Sequence, residues 1–395
     1  MCINPVLRPY NRCNEYRLKI LIHALGADMG GAMRHLSNFL PELGGVDRKN
    51  EYCVLIRESV PLPYISENIK IVSMKDNTAE SWLARVGHDV LLLPARLKRD
   101  GYSCLVSITN FGPIWSSIPH VFFQRNAIYY CPYYFERVNG RLKVEASMRR
   151  RLALSSMMRA DIIVTPSQAM ADMIRDMCPE TASRSFKVLC HGFSRESLKD
   201  PLDAKFEKLF SNKKGVRLLY PTHPAPYKGF EILFDTLAIL QKMGIEFTLY
   251  TTVSRDDWPE GVRRHERQVA GLDLKKRVVF MGQVPQGQMG ALYSRCDLMV
   301  YPSLCESFGF PMIEAMGFGL PIVAADTKVN REICGGGAIY YPSLDPESAA
   351  TAICEAMKPD VNRRLVEAGK DRMEGFDWSW RRYAREFVEL VESIT

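Results

Sequence analysis

The chain has 395 residues, of which 47% are hydrophobic and 25% are charged, with a formal net charge of +7 at pH 7. These fractions exclude a disordered chain, and the length predicts two or three globular domains of about 100–200 residues each. No stretch reaches the roughly 18 consecutive apolar residues that a transmembrane helix needs, so the composition excludes an integral membrane protein.

The first residues, Met1 to Arg17, contain neither an apolar core nor a small-residue cleavage site. No secretory signal is therefore predicted, and the expected location is the cytoplasm. The 11 cysteines are scattered from Cys2 to Cys354, and no two of them are separated by only two residues. A zinc site or a redox dithiol would need such close pairs, so the cysteines are expected to be reduced and buried.

The N-terminal half alternates between strand and helix patterns. An apolar run at 17–25 predicts a buried strand, followed by a glycine turn and a helix over about 32–40. Ser167 is the predicted N-cap of a helix that runs to about Met177. Further strands are predicted at 52–56, 69–72, 104–108, 120–123 and 162–165. The pattern predicts a doubly wound α/β domain with six strands.

Positive charge is concentrated in this half, because residues 1–195 hold 26 Lys and Arg against 17 Asp and Glu, whereas residues 196–395 hold 26 against 28. One predicted helix carries a cluster of basic side chains: Arg141, Lys143, Arg149, Arg150, Arg151 and Arg159. This helix could lie on anionic lipid headgroups, bind a phosphate-bearing substrate or expose a charged face to solvent, and the charge alone leaves all three open. A nucleic-acid partner is not expected, because no binding motif accompanies the charge.

Periodicity fades around residues 190–194, and a polar, lysine-rich stretch leads to a new strand at 216–220. Alternation then resumes, with strands predicted at 246–251, 278–281, 298–301 and 322–325 and helices at 230–242, 263–271, 288–294 and 311–318. Such alternation implies a parallel sheet covered on both faces. We therefore predict an N-terminal domain, 1–195, completed by a final helix over 377–395, and a C-terminal domain, 196–376. Ligands are expected in a cleft between the domains, at the carboxyl ends of the strands.

The segment most informative about chemistry is 301–316, Tyr-Pro-Ser-Leu-Cys-Glu-Ser-Phe-Gly-Phe-Pro-Met-Ile-Glu-Ala-Met. It follows a predicted strand and begins a helix with Pro311 at the favoured first position. Free N–H groups at this helix start, with Gly309 permitting close approach, suit a phosphate. Glu306 and Glu314 border the same pocket and would accept hydrogen bonds from sugar or ribose hydroxyls. A ligand with a phosphate in the middle and hydroxyls on either side is a nucleotide sugar. Structurally, Glu314 could instead complement the helix dipole and Glu306 could be a surface loop acid.

The Glu-x7-Glu pattern, set in Ser-Phe-Gly-Phe-Pro-Met-Ile-Glu-Ala-Met-Gly, resembles the retaining family-4 glycosyltransferases, also described as glycosyl transferases group 1. Further landmarks are similar and follow in the family's order: Gly-Gly-Ala-Met-Arg-His-Leu at 30–36, Tyr-Lys-Gly-Phe at 227–230, and stretches at 280–284, 296–303 and 376–380. The resemblance implies an α/β protein of the GT-B fold, in which two doubly wound, Rossmann-like parallel-sheet domains face a central cleft. It implies that the N-terminal domain, 1–195, binds the acceptor and that the C-terminal domain, 196–376, binds the nucleotide-sugar donor.

The resemblance also implies roles for individual residues. Lys228 would place its charge on the donor diphosphate, Glu314 would bind the ribose hydroxyls, and Glu306 would lie near the donor sugar and its anomeric carbon. Further donor contacts are implied for the backbone of Gly30, Gly31, Ser307, Phe308 and Gly309. No Asp-x-Asp triplet occurs in the sequence, which agrees with a site that uses no metal and no cofactor besides the nucleotide-diphosphate sugar.

Two positions depart from the family pattern. Family members commonly carry an arginine six residues before the donor lysine, where this chain has Thr222 followed by His223. Either His223 or Arg125 from the other domain is expected to share the diphosphate charge, and His223 is favoured. Many members also keep a histidine facing the acceptor, where Arg125 and Asn126 stand here. Neither is a convincing general base, but both could orient a phosphate or an acceptor hydroxyl, so we include them with Glu306 as candidate catalytic residues.

The resemblance implies transfer, with retention, of a hexose or deoxyhexose, mannose- or rhamnose-like, from a nucleotide-diphosphate sugar to a hydroxyl. The acceptor would be a glycan or a lipid-linked molecule in polysaccharide, lipopolysaccharide or glycolipid synthesis. The alternatives are a nucleotide-sugar epimerase or hydrolase of the same fold, and a catalytically silent subunit that binds a partner or glycan. The expected location is the cytoplasm, with peripheral contact to the cytoplasmic face of an anionic membrane if the basic helix binds lipid.

Overall fold

The computed structural model describes residues 17–395 except 28–29, 61, 63–64, 76–86, 212–213 and 257. The described chain forms two parallel sheets, one in each half, and helices cover both. The predicted architecture of two doubly wound α/β domains is therefore confirmed. The prediction that no secretory signal is present concerns residues that lie almost wholly outside the described part of the chain.

The first sheet has seven parallel strands in the order β3, β2, β1, β4, β5, β6, β7. Its strands are β1 (Lys19–His23), β2 (Glu51–Arg57), β3 (Ile69–Met74), β4 (Cys104–Ser107), β5 (His120–Phe123), β6 (Ile162–Thr165) and β7 (Phe186–Val188). Its helices are α1 (Gly30–Val46), α2 (Leu93–Arg99) after a π-helical turn (His88–Leu92), α3 (Pro132–Arg137), α4 (Gly140–Met157) and α5 (Gln168–Met177). The strand order reverses between β1 and β4, so their carboxyl ends border a crevice.

The second sheet has six parallel strands in the order β10, β9, β8, β11, β12, β13. Its strands are β8 (Val216–Tyr220), β9 (Phe247–Thr251), β10 (Val278–Phe280), β11 (Leu298–Tyr301), β12 (Ile322–Ala325) and β13 (Ala338–Tyr341). The helices are α6 (Ala204–Phe210), α7 (Phe230–Lys242), α8 (Pro259–Gly271), α9 (Met289–Arg295), α10 (Phe310–Gly317), α11 (Lys328–Cys334), α12 (Pro346–Ala356) and α13 (Pro359–Glu374). Here the order reverses between β8 and β11.

All strands predicted from the sequence are present, but the prediction of six strands in the first domain is wrong because β7 adds a seventh. β7 has only three residues, too few to show a period, and β13 was missed in the second domain for a similar reason.

The lysine-rich linker contains helix α6, whose Phe206 is buried in the second core. Ser167 caps α5 as predicted, accepting a hydrogen bond from the Met170 N–H. Nine described cysteines are free and seven of them are buried, while Cys2 and Cys13 lie outside the described residues.

The last helix, α14 (Trp380–Glu392), packs in the first domain rather than the second. Its Tyr383, Phe387 and Val391 recur every fourth residue, which gives one apolar face. That face is buried in the core formed by β1 and α1. The assigned domain borders at 195 and 376 remain predictions.

Two segments of chain therefore cross between the domains, around 190–194 and 375–379. They contact each other directly, since the Phe193 N–H donates to the Trp378 carbonyl at 2.5 Å. The Arg382 guanidinium donates to the Cys190 carbonyl, also at 2.5 Å. Gly192 lets the first crossing segment pass close to Trp380, because a Cβ on residue 192 would lie 2.8 Å from the Cα of Trp380.

Candidate active site

Two loops of the second domain meet where its strand order reverses. β8 leads into the loop at 221–229 and β11 into the loop at 302–309, and the two strands are neighbours in the sheet. Both loops consequently leave the sheet at its carboxyl edge, where open α/β sheets bind ligands. The loops touch at Gly229, which has a φ of 67° and whose added Cβ would lie 2.4 Å from the Pro302 carbonyl oxygen. Only glycine fits this contact without strain.

The loop contact places Lys228 beside Glu306. Nζ of Lys228 lies 2.6 Å from Oε1 of Glu306, and the two side chains are 8% and 13% exposed. The Tyr301 hydroxyl donates to the same carboxylate oxygen at 2.9 Å, and the Tyr220 hydroxyl donates to the Lys228 carbonyl at 2.7 Å. The structure thus brings together the cation predicted for a diphosphate and the acid predicted for the sugar.

The surroundings of Glu306 keep it ionised. Burial by itself opposes ionisation, but the Lys228 ammonium and hydrogen bonds from Lys228 and Tyr301 outweigh burial and hold the pKa of Glu306 below its usual range. Burial and the Glu306 charge raise the pKa of Tyr301 well above its usual value, so its hydroxyl stays a donor. At neutral pH Glu306 can therefore accept hydrogen bonds from sugar hydroxyls but cannot donate a proton.

The turn into helix α10 differs from the prediction by one residue. Gly309 adopts a left-handed conformation with a φ of 91°, and the helix begins at Phe310. The predicted first position for Pro311 is therefore wrong, and the proline stands second in the first turn, where its missing N–H is equally harmless. The sequence does not predict the left-handed conformation of Gly309, because a glycine can adopt this conformation but also many others.

Glu314, inside α10, is almost fully buried, and its two oxygens are occupied by protein groups. The Tyr293 hydroxyl donates to Oε2 at 2.6 Å and the Gln286 amide donates to Oε1 at 3.1 Å. The third partner is Arg34 of the first domain, whose guanidinium forms an ion pair with Oε1. Its guanidinium also lies 4.3 Å from the ring centre of Phe310. The carboxylate predicted to bind ribose is thus paired across the domain interface.

Arg34 is a site residue that the sequence analysis did not single out. It stands in the glycine-loop motif, one turn after Gly30, and only that position could have drawn attention to it. Burial lowers the pKa of Arg34 to about 10, so the side chain remains charged at neutral pH. Gly30 begins α1, and a Cβ on Gly31 would be 4.0 Å from the Phe310 ring, so the glycine loop approaches the α10 turn closely.

Ser307 and Phe308 also lie at the domain interface. The Ser307 carbonyl accepts a hydrogen bond of 2.8 Å from the hydroxyl of Ser167, the cap of α5 in the first domain. The Phe308 ring is buried and meets the ring of His191 edge-on at 5.1 Å. Contacts of the N–H groups of this loop with a donor sugar stay a prediction.

The two positions that depart from the family pattern lie in different domains: Thr222 and His223 in the second, and Arg125 and Asn126 in the first. Nε2 of His223 is 3.2 Å from the Tyr227 hydroxyl, within the loop that also carries Lys228. Arg125 donates from its guanidinium to the Ile108 carbonyl at 2.5 Å, and burial lowers its pKa. Asn126 accepts a hydrogen bond of 3.0 Å from the Ile128 N–H and caps a short helical turn.

His223 lies in the same loop as Lys228, whereas Arg125 belongs to the first domain. Among the described residues, the side-chain hydrogen bonds of Arg125 and Asn126 stay within the first domain. Their assignment as catalytic residues, like the charge-sharing role of His223, stays a prediction.

Potential metal ligands gather elsewhere. In the described ranges, His23, His88 and Asp89 are the three side chains of suitable type whose ligand atoms lie within 4.8 Å of one another. They belong to the first domain, and none of the predicted donor-binding residues is among them. The expectation of a reaction without metal or cofactor stays a prediction.

The basic helix, α4, exposes apolar as well as charged side chains. Arg141, Lys143 and Arg151 face solvent, and so do Val144 and Met148, which are 59% and 51% exposed. The charged and apolar side chains are not separated onto opposite faces of α4, so contact of this helix with a membrane stays a prediction. No helix in the described part of the chain is long and apolar enough to cross a bilayer.

Residues 203–372 match the family model described as Glycosyl transferases group 1. The O-antigen chain mannosyltransferase RfbU of Salmonella typhimurium is 38% identical over 88 residues, which cover 22% of this chain and 25% of that protein. The phosphatidyl-myo-inositol mannosyltransferase of Mycobacterium leprae is 31% identical over 173 residues, which cover 43% of this chain and 44% of that protein. The alignments thus span less than half the length of these curated relatives.

Solved structures resemble almost the whole chain. Sucrose-phosphate synthase from Thermosynechococcus elongatus has a TM-score of 0.74 at 18% identity, over 95% of this chain and 99% of that one. Alr3699/HepE of Anabaena, solved in complex with UDP and glucose, has a TM-score of 0.68 at 18% identity, over 95% of this chain and 100% of that one. These likenesses show the fold. Residues 203–372, which lie in the second domain, thus match the glycosyl transferases group 1 model, and the chain as a whole has the GT-B fold.

Proposed function

We propose that this protein is a retaining, metal-independent glycosyltransferase. It moves a hexose or deoxyhexose from a nucleotide-diphosphate sugar to a hydroxyl of a glycan or lipid-linked acceptor. The observation that carries the proposal is the buried Lys228–Glu306 pair, 2.6 Å apart, at the carboxyl edge where β8 and β11 diverge. A cation and an ionised acid held side by side at such an edge suit a ligand that combines phosphate with hydroxyls.

In the proposed reaction the residues divide the donor between them. Lys228 stabilises the negative charge that develops on the departing diphosphate, and His223 from the same loop assists it. Glu306 accepts hydrogen bonds from the sugar, and Glu314 holds the ribose. The bond from C1 to the phosphate oxygen breaks, the acceptor oxygen bonds to C1 from the same face, and the acceptor proton passes to the released phosphate oxygen. This path needs no protein base at Arg125 or Asn126.

The sugar is proposed to be mannose or a similar hexose such as rhamnose. Support comes from the two relatives described above, which are named as mannosyltransferases. One of them is named for O-antigen chains and the other for a phosphatidyl lipid, so both polysaccharide and glycolipid acceptors fit the proposal. The solved relative that holds UDP supports a nucleotide donor without fixing the base.

Donor binding and transfer are tested separately. A nucleotide that binds the folded state at 100 times its Kd should stabilise the protein by about 2.7 kcal/mol, so the matching donor should raise the Tm. The screen compares GDP-mannose, dTDP-rhamnose, UDP-glucose and ADP-glucose. Transfer should then require an acceptor extract, persist in EDTA and give a product with the donor's anomeric configuration by NMR. Consumption of donor without acceptor would favour a hydrolase or epimerase, and no donor binding would favour a silent subunit.

We also propose that the enzyme works in the cytoplasm with α4 on the anionic face of a membrane. Replacing Arg141, Lys143 and Arg151 by Gln should lower partitioning onto phosphatidylglycerol vesicles about 100-fold, at about 1 kcal/mol per basic residue. The matched control removes three exposed arginines of α8: Arg263, Arg264 and Arg267. Sedimentation at low and high salt measures both variants. An equal loss of vesicle binding in the α4 and α8 variants, or equal binding of the unmodified protein to neutral and anionic vesicles, would contradict this contact.

A further inference from the structure

Two histidines and one aspartate meet in the first domain, outside the candidate active site. Nε2 of His23 lies 2.9 Å from Oδ1 of Asp89, and Nδ1 of His88 lies 3.0 Å from the same oxygen. All three side chains are at most 9% exposed. Two imidazole nitrogens and one carboxylate oxygen thus converge on one buried point.

The backbone fixes the three residues at this place. His23 ends β1 and pairs with Leu55 of β2 on one side and Ser107 of β4 on the other, so it belongs to the middle of the sheet. His88 and Asp89 begin the π-helical turn that leads into α2. Such turns are rare and are frequently found at functional sites. Here the turn brings two consecutive side chains to the end of a central strand.

The separations of the three atoms suit a small cation. In a tetrahedral zinc site, with bonds of about 2.0–2.2 Å to nitrogen and oxygen, neighbouring ligand atoms are about 3.3 Å apart. The two nitrogen–oxygen separations are 2.9 and 3.0 Å, and all three ligand atoms lie within 4.8 Å of one another. Small movements of the side chains therefore bring all three atoms within bonding distance of one ion.

A metal also needs a lone pair on each nitrogen that faces it. In the hydrogen-bonded arrangement the Nε2 proton of His23 points at Asp89, because an ionised carboxylate only accepts. The other ring nitrogen, Nδ1, is buried and has no hydrogen-bond partner in the part of the chain that the structure describes. The ring can carry its proton on Nδ1 without breaking another hydrogen bond, which frees Nε2 for a metal.

The chemistry of the three ligands favours a particular class of ion. Two imidazoles and a carboxylate form the protein ligands of many zinc sites that keep a fourth position open, whereas Mg²⁺ prefers oxygen ligands alone. His23 and Asp89 line a cavity of about 390 Å³, so the fourth position of an ion held between them faces this cavity. Solvent in the cavity can complete the coordination.

We propose that His23, His88 and Asp89 bind one zinc ion, with a water molecule from the cavity as the fourth ligand. The ion ties the π-helical turn to the end of β1 and so stabilises the first domain. None of the residues proposed to bind the donor is a ligand of this ion, which agrees with a transfer reaction that persists in EDTA. The inference does not rest on the proposed function.

The first test uses the full chain, stripped of metal with EDTA and dialysed, in calorimetric titrations with ZnCl2 and MgCl2. One zinc ion should bind per chain and magnesium should not, and zinc at 100 times its Kd should raise the Tm by about 5 °C. Co²⁺ is the spectroscopic probe, because a four-coordinate cobalt ion absorbs visible light far more strongly than an octahedral one. No zinc binding, equal binding of zinc and magnesium, or an octahedral cobalt spectrum would overturn the proposal.

The second test assigns the ligands. Loss of a residue that only supports a ligand already lowers metal affinity about 10–100-fold, so Asp89→Asn and His88→Gln should each weaken zinc binding by about 100-fold or more. The matched control is His223→Gln, which removes an exposed histidine of the second domain and should bind zinc like the unmodified protein. Unchanged zinc affinity in both ligand variants, or an equal loss in the control, would place the zinc elsewhere and overturn the proposal. If a ligand variant does not fold without metal, the cobalt spectrum of the unmodified protein decides.

Discussion

Replacing Lys228 by methionine is expected to lower kcat for transfer by about 10²–10³, the usual loss when one group that stabilises transition-state charge is removed. The methionine keeps most of the apolar stem and deletes only the ammonium that lies 2.6 Å from Glu306. Donor turnover is measured at saturating acceptor, and the matched control is Lys242→Met, an exposed lysine at the end of α7.

Folding must be separated from catalysis in this variant. Breaking a buried ion pair costs about 3–5 kcal/mol, because the remaining Glu306 carboxylate loses its partner. The double variant K228M/E306Q removes that unpaired charge, so it should recover most of the lost stability but none of the activity. Normal transfer rates in K228M, or recovery of activity in the double variant, would remove Lys228 from the site.

Glu314→Gln is expected to weaken nucleoside diphosphate binding about 100-fold. The reason is that two charge-assisted hydrogen bonds to ribose, at about 1.5–3 kcal/mol each, become neutral ones. The structure adds a second expectation, because the Arg34 guanidinium pairs with the same carboxylate. Arg34→Gln should therefore strengthen the binding of the nucleoside alone, by about tenfold if the lost pair contributed 1.4 kcal/mol.

The opposite signs of these two effects make the test specific. General damage to the domain interface would weaken nucleoside binding in both variants. In the double variant R34Q/E314Q, the R34Q substitution should not strengthen nucleoside binding, because the Glu314 carboxylate that it would uncover is absent. Titration with nucleoside and with nucleoside diphosphate measures all three proteins. A gain that persists in the combined variant would show that Arg34 does not act through Glu314.

The site residues that belong to local motifs could be predicted from the sequence. Lys228 and Glu306 each follow a strand, and parallel topology brings the two loops together once the strand order is fixed. Arg34 could not be assigned, because its partner stands 280 residues away and the pairing depends on how the two domains face each other. The start of α10 was misplaced by one residue because the left-handed turn at Gly309 leaves no periodic signal. The three-residue strand β7 was missed because pairing with β6, not its own pattern, defines it.

The contact between the two crossing segments limits how the domains can move. Because the Phe193 N–H is hydrogen-bonded to the Trp378 carbonyl, both crossing segments pass between the domains at one place, and we expect any relative motion of the domains to pivot there. A rotation that widens the angle between the domains would separate α1 from α10 and break the ion pair of Arg34 with Glu314. We therefore expect the carboxylate proposed to bind ribose to become accessible in the same movement that opens the cleft to a donor.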